Sequence, residues 1–271
     1  MRKILGAVLI GVAFTTTAWA QGLEELQAKF DQGEYAAVYE EAMALGSPEA
    51  LALATRAATN QAMYLTTSDA EQGEWFDKAT GVAEKALEAD PNNALANFAW
   101  GEANGRAAMI LMENQGLQAA LGNPGLIAKV TPMRERAEKA IELDPNLNDA
   151  YVLLGLWHVA LRSNIVPFGF GRIYGANTDK GVEALQKAVE LCNPGCARLV
   201  TANKEYGFGL WVKGDNEEAK AQLEKTLTLT PKTEEDRQEL ARAQVLLDGL
   251  NQDKKPLDVK QYKAGVVQVA R

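Results

Sequence analysis

Few side chains of this sequence could do catalytic chemistry. His158 is the single histidine, and it follows Trp157 in a predicted helix. A lone imidazole in such a helix is more often a hydrogen-bonded core or groove residue than a general base. The acidic runs at residues 217–218 and 234–236 stand at predicted helix starts, where the helix dipole favours them.

Catalytic motifs are also missing from the sequence. It contains no G-x-S-x-G, no glycine-rich phosphate loop and no H-E-x-x-H, and one histidine with two cysteines cannot readily build a zinc site. We therefore predict that the protein is not an enzyme, and we predict neither a cofactor nor a metal.

The two cysteines form the segment CNPGC between two predicted helices. Pro194 and Gly195 allow the chain to turn back, so that Cys192 and Cys196 can approach each other. In an exported protein such thiols can oxidise, and we predict a disulfide here, with free thiols as the alternative. The spacing of three residues differs from the two of thioredoxin-like redox pairs.

The first twenty residues predict a secretory signal peptide. Arg2 and Lys3 precede an apolar run over residues 4–14, and Ala18-Trp19-Ala20 is typical of a cleavage site. No cysteine there could carry a lipid, so we expect a soluble periplasmic or secreted product, with a retained membrane anchor as the alternative. The net charge of −8 becomes more negative after cleavage and argues against nucleic-acid and anionic-membrane partners.

The helices that position these residues come from a repeated pattern. It occurs at residues 79–91, 133–145 and 219–231, and the first two copies contain AEKALEADPN and AEKAIELDPN. Each copy ends with a proline that stops a helix. Alanine is abundant and strand-type alternation is hard to find, which predicts an all-α protein.

The spacing within the pattern resembles that of tetratricopeptide (TPR) repeats, which are helical hairpins of about 34 residues. In the cleanest copy, residues 200–231, Gly207, Ala219 and Pro231 follow one another at intervals of twelve. We predict a right-handed stack of TPR-like hairpins, an α-solenoid, over residues 21–250. A helix over residues 234–250 would cap it, and residues 251–271 would form a tail.

Two segments exceed the repeat length and predict inserted loops at residues 112–131 and 163–177. Gly101, Gly155 and Gly207 occupy equivalent positions but stand 54 and 52 residues apart. Repeat arrays often place insertions on the binding face. The aromatic residues of the second insert therefore line a pocket or contact a neighbouring subunit, or they simply fill the core beneath the loop.

The predicted inner wall of the stack is mostly apolar. It either closes on itself as core or holds an apolar or amphipathic small molecule. The candidate ligand or partner groove, which includes the insert, is formed by Phe98, Val152, Leu156, His158, Phe168, Phe170, Arg172, Tyr174, Phe208 and Trp211.

The second half of the chain resembles the T-component proteins of tripartite ATP-independent periplasmic (TRAP) transporters. The resemblance lies in TDKGVEALQKAVEL, Tyr206-Gly207, QLEKTL and EDRQELARAQVLL, in that order. The same helix plan is similar to the regulator-of-microtubule-dynamics family. The first resemblance implies a homotrimer in which each protomer holds a cavity and works beside a solute-binding protein that delivers small organic acids.

The predicted function is thus that of a periplasmic binding protein. It would handle a small apolar or amphipathic solute together with a TRAP-type transport system. The alternative is a cell-envelope scaffold that binds a partner protein or peptide in its TPR groove.

Overall fold

The described part of the chain is helical and contains no β-strand, which confirms the all-α class. The computed structural model describes residues 21–66, 68–163, 169–192, 195–196 and 198–254. The predicted signal peptide and residues 255–271 of the predicted tail lie outside this part. The helices before the first insert are α1 (residues 21–31), α2 (Tyr35–Leu45), α3 (Pro48–Asn60) and α4 (Asp69–Ala89).

The later helices complete the chain. They are α5 (Ala94–Gln115), α6 (Leu117–Leu121), α7 (Pro124–Leu143), α8 (Asn148–Ala160), α9 (Phe170–Ile173), α10 (Thr178–Leu191), α11 (Leu199–Lys213), α12 (Asn216–Leu227) and α13 (Glu234–Asn251).

Antiparallel hairpins stack side by side in two layers. α3 packs on α4, α5 on α7, α8 on α10 and α11 on α12. The first helices α3, α5, α8, α11 and α13 contact one another in that order, and each second helix contacts the first helix of the next hairpin. The predicted stack of TPR-like hairpins is confirmed, and α13 closes it.

Asp-Pro-Asn sequences end α4 and α7 in the same way. The carboxylate of Asp90 accepts a hydrogen bond of 2.9 Å from the N–H of Asn92, and Asp144 accepts one of 2.9 Å from Asn146. An aspartate that binds the backbone two residues ahead stabilises a turn. The repeated motif is therefore a helix-to-helix turn.

Glycines lie where helices approach most closely. A Cβ atom on Gly155 of α8 would lie 2.9 Å from the carbonyl oxygen of Gly181 of α10, and one on Gly207 would lie 2.8 Å from Leu223 Cγ. A larger residue would separate the two helices of each hairpin. These are the crossings at which the repeat pattern predicts small residues.

The first insert is helical where the sequence predicts a loop. α5 continues to Gln115, α6 follows, and Asn123 caps α7 by accepting a hydrogen bond of 3.1 Å from the N–H of Leu126. The insert thus lengthens one hairpin and adds a short helix at its tip. In the second insert α9 packs on the end of α8, because Gly171 has no side chain to meet the carbonyl of Leu161.

Among the described helices, none combines the length and the apolar character that crossing a bilayer requires.

Candidate functional site

A partly open cavity of about 170 Å³ lies among the helices of the middle hairpins. Helices α5, α6, α7 and α8 form most of its wall, and residues of α9, α11 and α13 complete it. Its lining is largely apolar and includes Met109, Met112, Leu126, Met133, Leu156 and Phe208. The helical first insert supplies Leu121 and neighbouring wall residues, so it builds the cavity directly.

The structure places half of the predicted groove residues at this cavity. Phe98, Val152, Leu156, Phe170 and Phe208 line it. Four of them come from the first helices α5, α8 and α11, which the stacking brings together, and Phe170 comes from α9.

The other predicted groove residues lie elsewhere. Trp211 is buried against α13, where Gly249 leaves room for its ring. Arg172 is exposed on α9, and the ring of Tyr174 contacts that of Phe170 in a tilted arrangement, with 5.1 Å between ring centroids. Phe168 lies outside the described residues.

His158 is buried beside the cavity and does not line it. Its Nδ1 accepts a hydrogen bond of 3.2 Å from the backbone N–H of Asn177, the residue that caps α10. Burial, aided by the positive charges of Lys180 and Arg134, lowers the pKa of His158 to about 4. The imidazole is therefore neutral at pH 7 and connects α8 to the start of α10.

Cys192 and Cys196 form a disulfide, as the CNPGC segment predicts. Their Cα atoms are 4.7 Å apart. Cys192 lies at the end of α10, and Cys196 comes two residues before Arg198, which caps α11. The bond holds the junction between these two helices.

Four buried charged residues line one part of the cavity, which we call its floor. The side chains of Glu102, Arg106, Arg198 and Glu205 are each more than nine-tenths buried. Arg198 donates a hydrogen bond of 2.9 Å to Glu102, and an Arg106 nitrogen lies 3.8 Å from a Glu205 oxygen. Apolar walls therefore surround a polar floor.

Arg198 joins this floor to the rest of the stack. Its Nε donates a hydrogen bond of 2.7 Å to Glu235 of α13, and its Nη1 lies 3.5 Å from Asp149 of α8. Burial disfavours the charge of Glu102, but Arg198 and Arg56 outweigh it and lower the pKa of that carboxyl. One guanidinium thus connects α5, α8, α11 and α13.

A second set of ion pairs is centred on Lys204, which is fully buried. Its ammonium pairs with Glu205 at 2.7 Å and also with Glu239. Arg242 donates a hydrogen bond of 3.0 Å to Glu239. Burial alone would raise the pKa of Glu239, but Lys204 and Arg242 lower it well below its usual range, so this carboxylate stays ionised.

The model of one protein family, described as regulator of microtubule dynamics protein 1-3 (RMD), matches residues 23–251. This chain belongs to that family. The match extends from α1 to the last residue of α13, so all of the cavity-forming helices lie within it.

A crystal structure of a thermophilic TPR protein of Thermus thermophilus is similar to this RMD-family chain at 19% sequence identity. The similarity covers 72% of this chain and 92% of that one, with a TM-score of 0.44. None of the curated proteins matches the chain significantly.

The sequence contained a signal for the charged floor that the prediction of an apolar wall did not use. Glu102 and Arg106 stand four residues apart in α5, and Glu235, Glu239 and Arg242 follow at four and three residues in α13. Such spacing places side chains on one helix face. A face of this kind is normally solvated, and only the return of α13 onto α11 shows that it is buried here.

Within the described part of the RMD-family chain, no group of three or more histidine, cysteine or acidic side chains is arranged to hold a metal.

Proposed function

We propose that this protein is a non-catalytic binding protein that holds a small apolar or amphipathic ligand in the cavity. The observation that supports this is the cavity itself, with apolar walls over a buried polar floor. Sites for small molecules are typically apolar with a few polar groups that set the orientation of the ligand.

The apolar walls of the cavity suit a ligand with a flexible apolar chain. Met109, Met112 and Met133, three of the six methionines, line the cavity. Thioether side chains adapt to ligands of irregular shape because they are unbranched and polarizable. Each Å² of apolar ligand surface removed from water contributes about 25 cal/mol to binding.

We further propose that the protein is exported to the periplasm and hands its ligand to a TRAP-type transport system as part of a homotrimer, beside a solute-binding protein. The support is the basic and apolar character of residues 1–20 together with the T-component resemblance of the second half. In this proposal the protein needs no cofactor.

The second candidate is a cell-envelope scaffold that binds a partner protein. The TPR-like helical fold is typical of protein-binding scaffolds. A specific observation favours it as well: Ile173 on α9 is 81% exposed and stands next to the exposed Arg172. An apolar side chain presented in this way can serve a protein contact.

Filling the cavity tests the first proposal. The probe is Nile red, an uncharged apolar dye, titrated by fluorescence into the protein lacking residues 1–20. Leu156→Trp fills the cavity, and we expect it to weaken binding by about tenfold or more, equivalent to at least 1.4 kcal/mol. Leu95→Trp is the matched control, because Leu95 is exposed and lies away from the cavity.

Circular dichroism checks that both variants fold. Equal dye affinity in the two variants would contradict a ligand site in this cavity. If the protein instead binds a partner that Ile173→Asp releases and Leu156→Trp does not, the scaffold function is supported.

A further inference from the structure

We infer that the cavity selects ligands that combine an apolar chain with an uncharged hydrogen-bonding head, such as a hydroxyl group, over carboxylates and ammonium ions. This inference rests on the proposed ligand-binding function and adds the chemical class of the ligand. It departs from the organic acids that the T-component resemblance implies.

The charges of the cavity floor are balanced. Among the residues that the structure describes, the charged ones that line the cavity are Glu102, Arg106, Arg198 and Glu205, two acidic and two basic. Their side chains are only 5–9% exposed, so solvent screens them little. The floor has charges but no net charge.

Further charged residues lie behind the floor. The described residues that pair with it are again balanced between the signs: Arg56 and Lys204 against Asp149 and Glu235. Behind Lys204, Glu239 and Arg242 add one charge of each sign. The described residues therefore offer a charged ligand head no excess of either sign that could neutralise it. Burying an ion without a compensating partner costs several kcal/mol, whereas a hydrogen-bonded neutral group costs far less.

The floor retains the capacity to hydrogen-bond a ligand. The ion pair between Arg106 and Glu205 spans 3.8 Å, which exceeds a hydrogen bond. Within the described part of the chain, the buried Nη1 of Arg198 makes no hydrogen bond, and its ion pair with Asp149 spans 3.5 Å. A guanidinium has five N–H donors, and a carboxylate accepts from several directions, so a hydroxyl group can both accept from an arginine and donate to a glutamate.

A charged head fits the same floor poorly. A carboxylate that approaches Arg106 also approaches Glu205 and Glu102, and an ammonium ion that approaches Glu205 also meets Arg106. Like charges at contact distance oppose each approach. The neutral floor therefore favours ligands with an uncharged head group over ligands with a charged one.

Three probes that differ only in the head group test the inference. Octanol, octanoate and octylamine are titrated by calorimetry into the protein lacking residues 1–20, with Leu156→Trp as the control for binding outside the cavity. We expect octanol to bind at least about tenfold more tightly than either ion, equivalent to 1.4 kcal/mol.

Two variants should shift the selectivity in opposite directions. Glu205→Gln leaves the floor with one net positive charge and should increase the affinity for octanoate relative to octanol. Arg106→Gln leaves one net negative charge and should increase the affinity for octylamine relative to octanol. Glu142→Gln is the control, because Glu142 belongs to an exposed ion pair, and it should leave the order of the three affinities unchanged. General destabilisation would not produce shifts of opposite sign.

The wild-type comparison is decisive even where a variant fails to fold. Octanoate or octylamine binding as tightly as octanol would overturn the inference and leave the proposed function in place. Failure of all three probes to bind would overturn both.

Discussion

Tyr64 donates its hydroxyl hydrogen to Glu239 over 2.7 Å, although 175 residues separate the two in the chain. Tyr64 lies in the π-helical turn Gln61–Leu65 that extends α3, and Glu239 lies in α13. Burial raises the pKa of Tyr64 well above its usual value, so the phenol remains a donor. The contact joins the first part of the stack to its capping helix.

Replacing Tyr64 by phenylalanine should lower the free energy of unfolding by about 1–2 kcal/mol, because a buried carboxylate loses a hydrogen bond. Urea unfolding followed by circular dichroism measures this. Tyr39→Phe is the control, since Tyr39 is partly exposed, and its change should stay within about 0.5 kcal/mol. Similar losses in the two variants would argue against a role for the Tyr64 hydroxyl.

Arg198→Met should be the more damaging change, with a loss of about 3–5 kcal/mol, because Glu102, Asp149 and Glu235 lose their shared partner in a buried site. Arg237→Met removes a half-exposed arginine paired with Glu234 and should cost less than about 1 kcal/mol. The same unfolding experiment compares them. An Arg198 variant as stable as the Arg237 variant would contradict the central position of Arg198.

Gly155→Ala should destabilise the protein by about 1–3 kcal/mol, since a methyl group there would push α8 away from α10. In Gly81→Ala, in α4, no atom of the described residues lies within 4 Å of the added carbon, and the change should stabilise the protein by up to about 1 kcal/mol through helix propensity. The midpoint temperature of thermal unfolding should therefore fall in Gly155→Ala and rise in Gly81→Ala. An increase in the stability of the Gly155→Ala variant would show that the crossing of α8 and α10 tolerates a side chain.

His158 should make stability depend on pH between about 6.5 and about 4. Its pKa is lowered to about 4 in the folded state, so within this window the unfolded chain binds a proton that the folded chain does not. The free energy of unfolding should thus fall as the pH is lowered from about 7 to about 5.

His158→Gln is the variant that isolates this effect, because the chain contains no other histidine. The free energy of unfolding of the variant should decrease less than that of the wild type over the same range. Equal pH dependence in the two proteins would contradict the lowered pKa.

Reduction of the Cys192–Cys196 disulfide should lower the free energy of unfolding by about 2 kcal/mol, as expected for a bond that closes a short loop. Urea unfolding with and without dithiothreitol measures the difference. The double variant Cys192→Ala/Cys196→Ala should be insensitive to the reductant. A wild-type protein that is equally insensitive would show that the bond contributes little to stability.

The amino-acid sequence alone was sufficient to predict the helices of the repeated hairpins, the turns between them and the disulfide, but not the helical first insert. The reason is that each of these signals is local: Asp90 acts on a residue two positions ahead, and Cys192 and Cys196 are four positions apart. Gly155 and Gly207 also reveal close crossings because they recur at equivalent repeat positions.

The tertiary structure alone decided which predicted groove residues line the cavity and what lies beneath them. Trp211 is removed from the cavity wall by α13, while the helical first insert adds to that wall. The charged floor depends on contacts such as Glu102 with Arg198, 96 residues apart. Local patterns show that a helix has a charged face, but whether water or another helix covers that face depends on how distant parts of the chain pack.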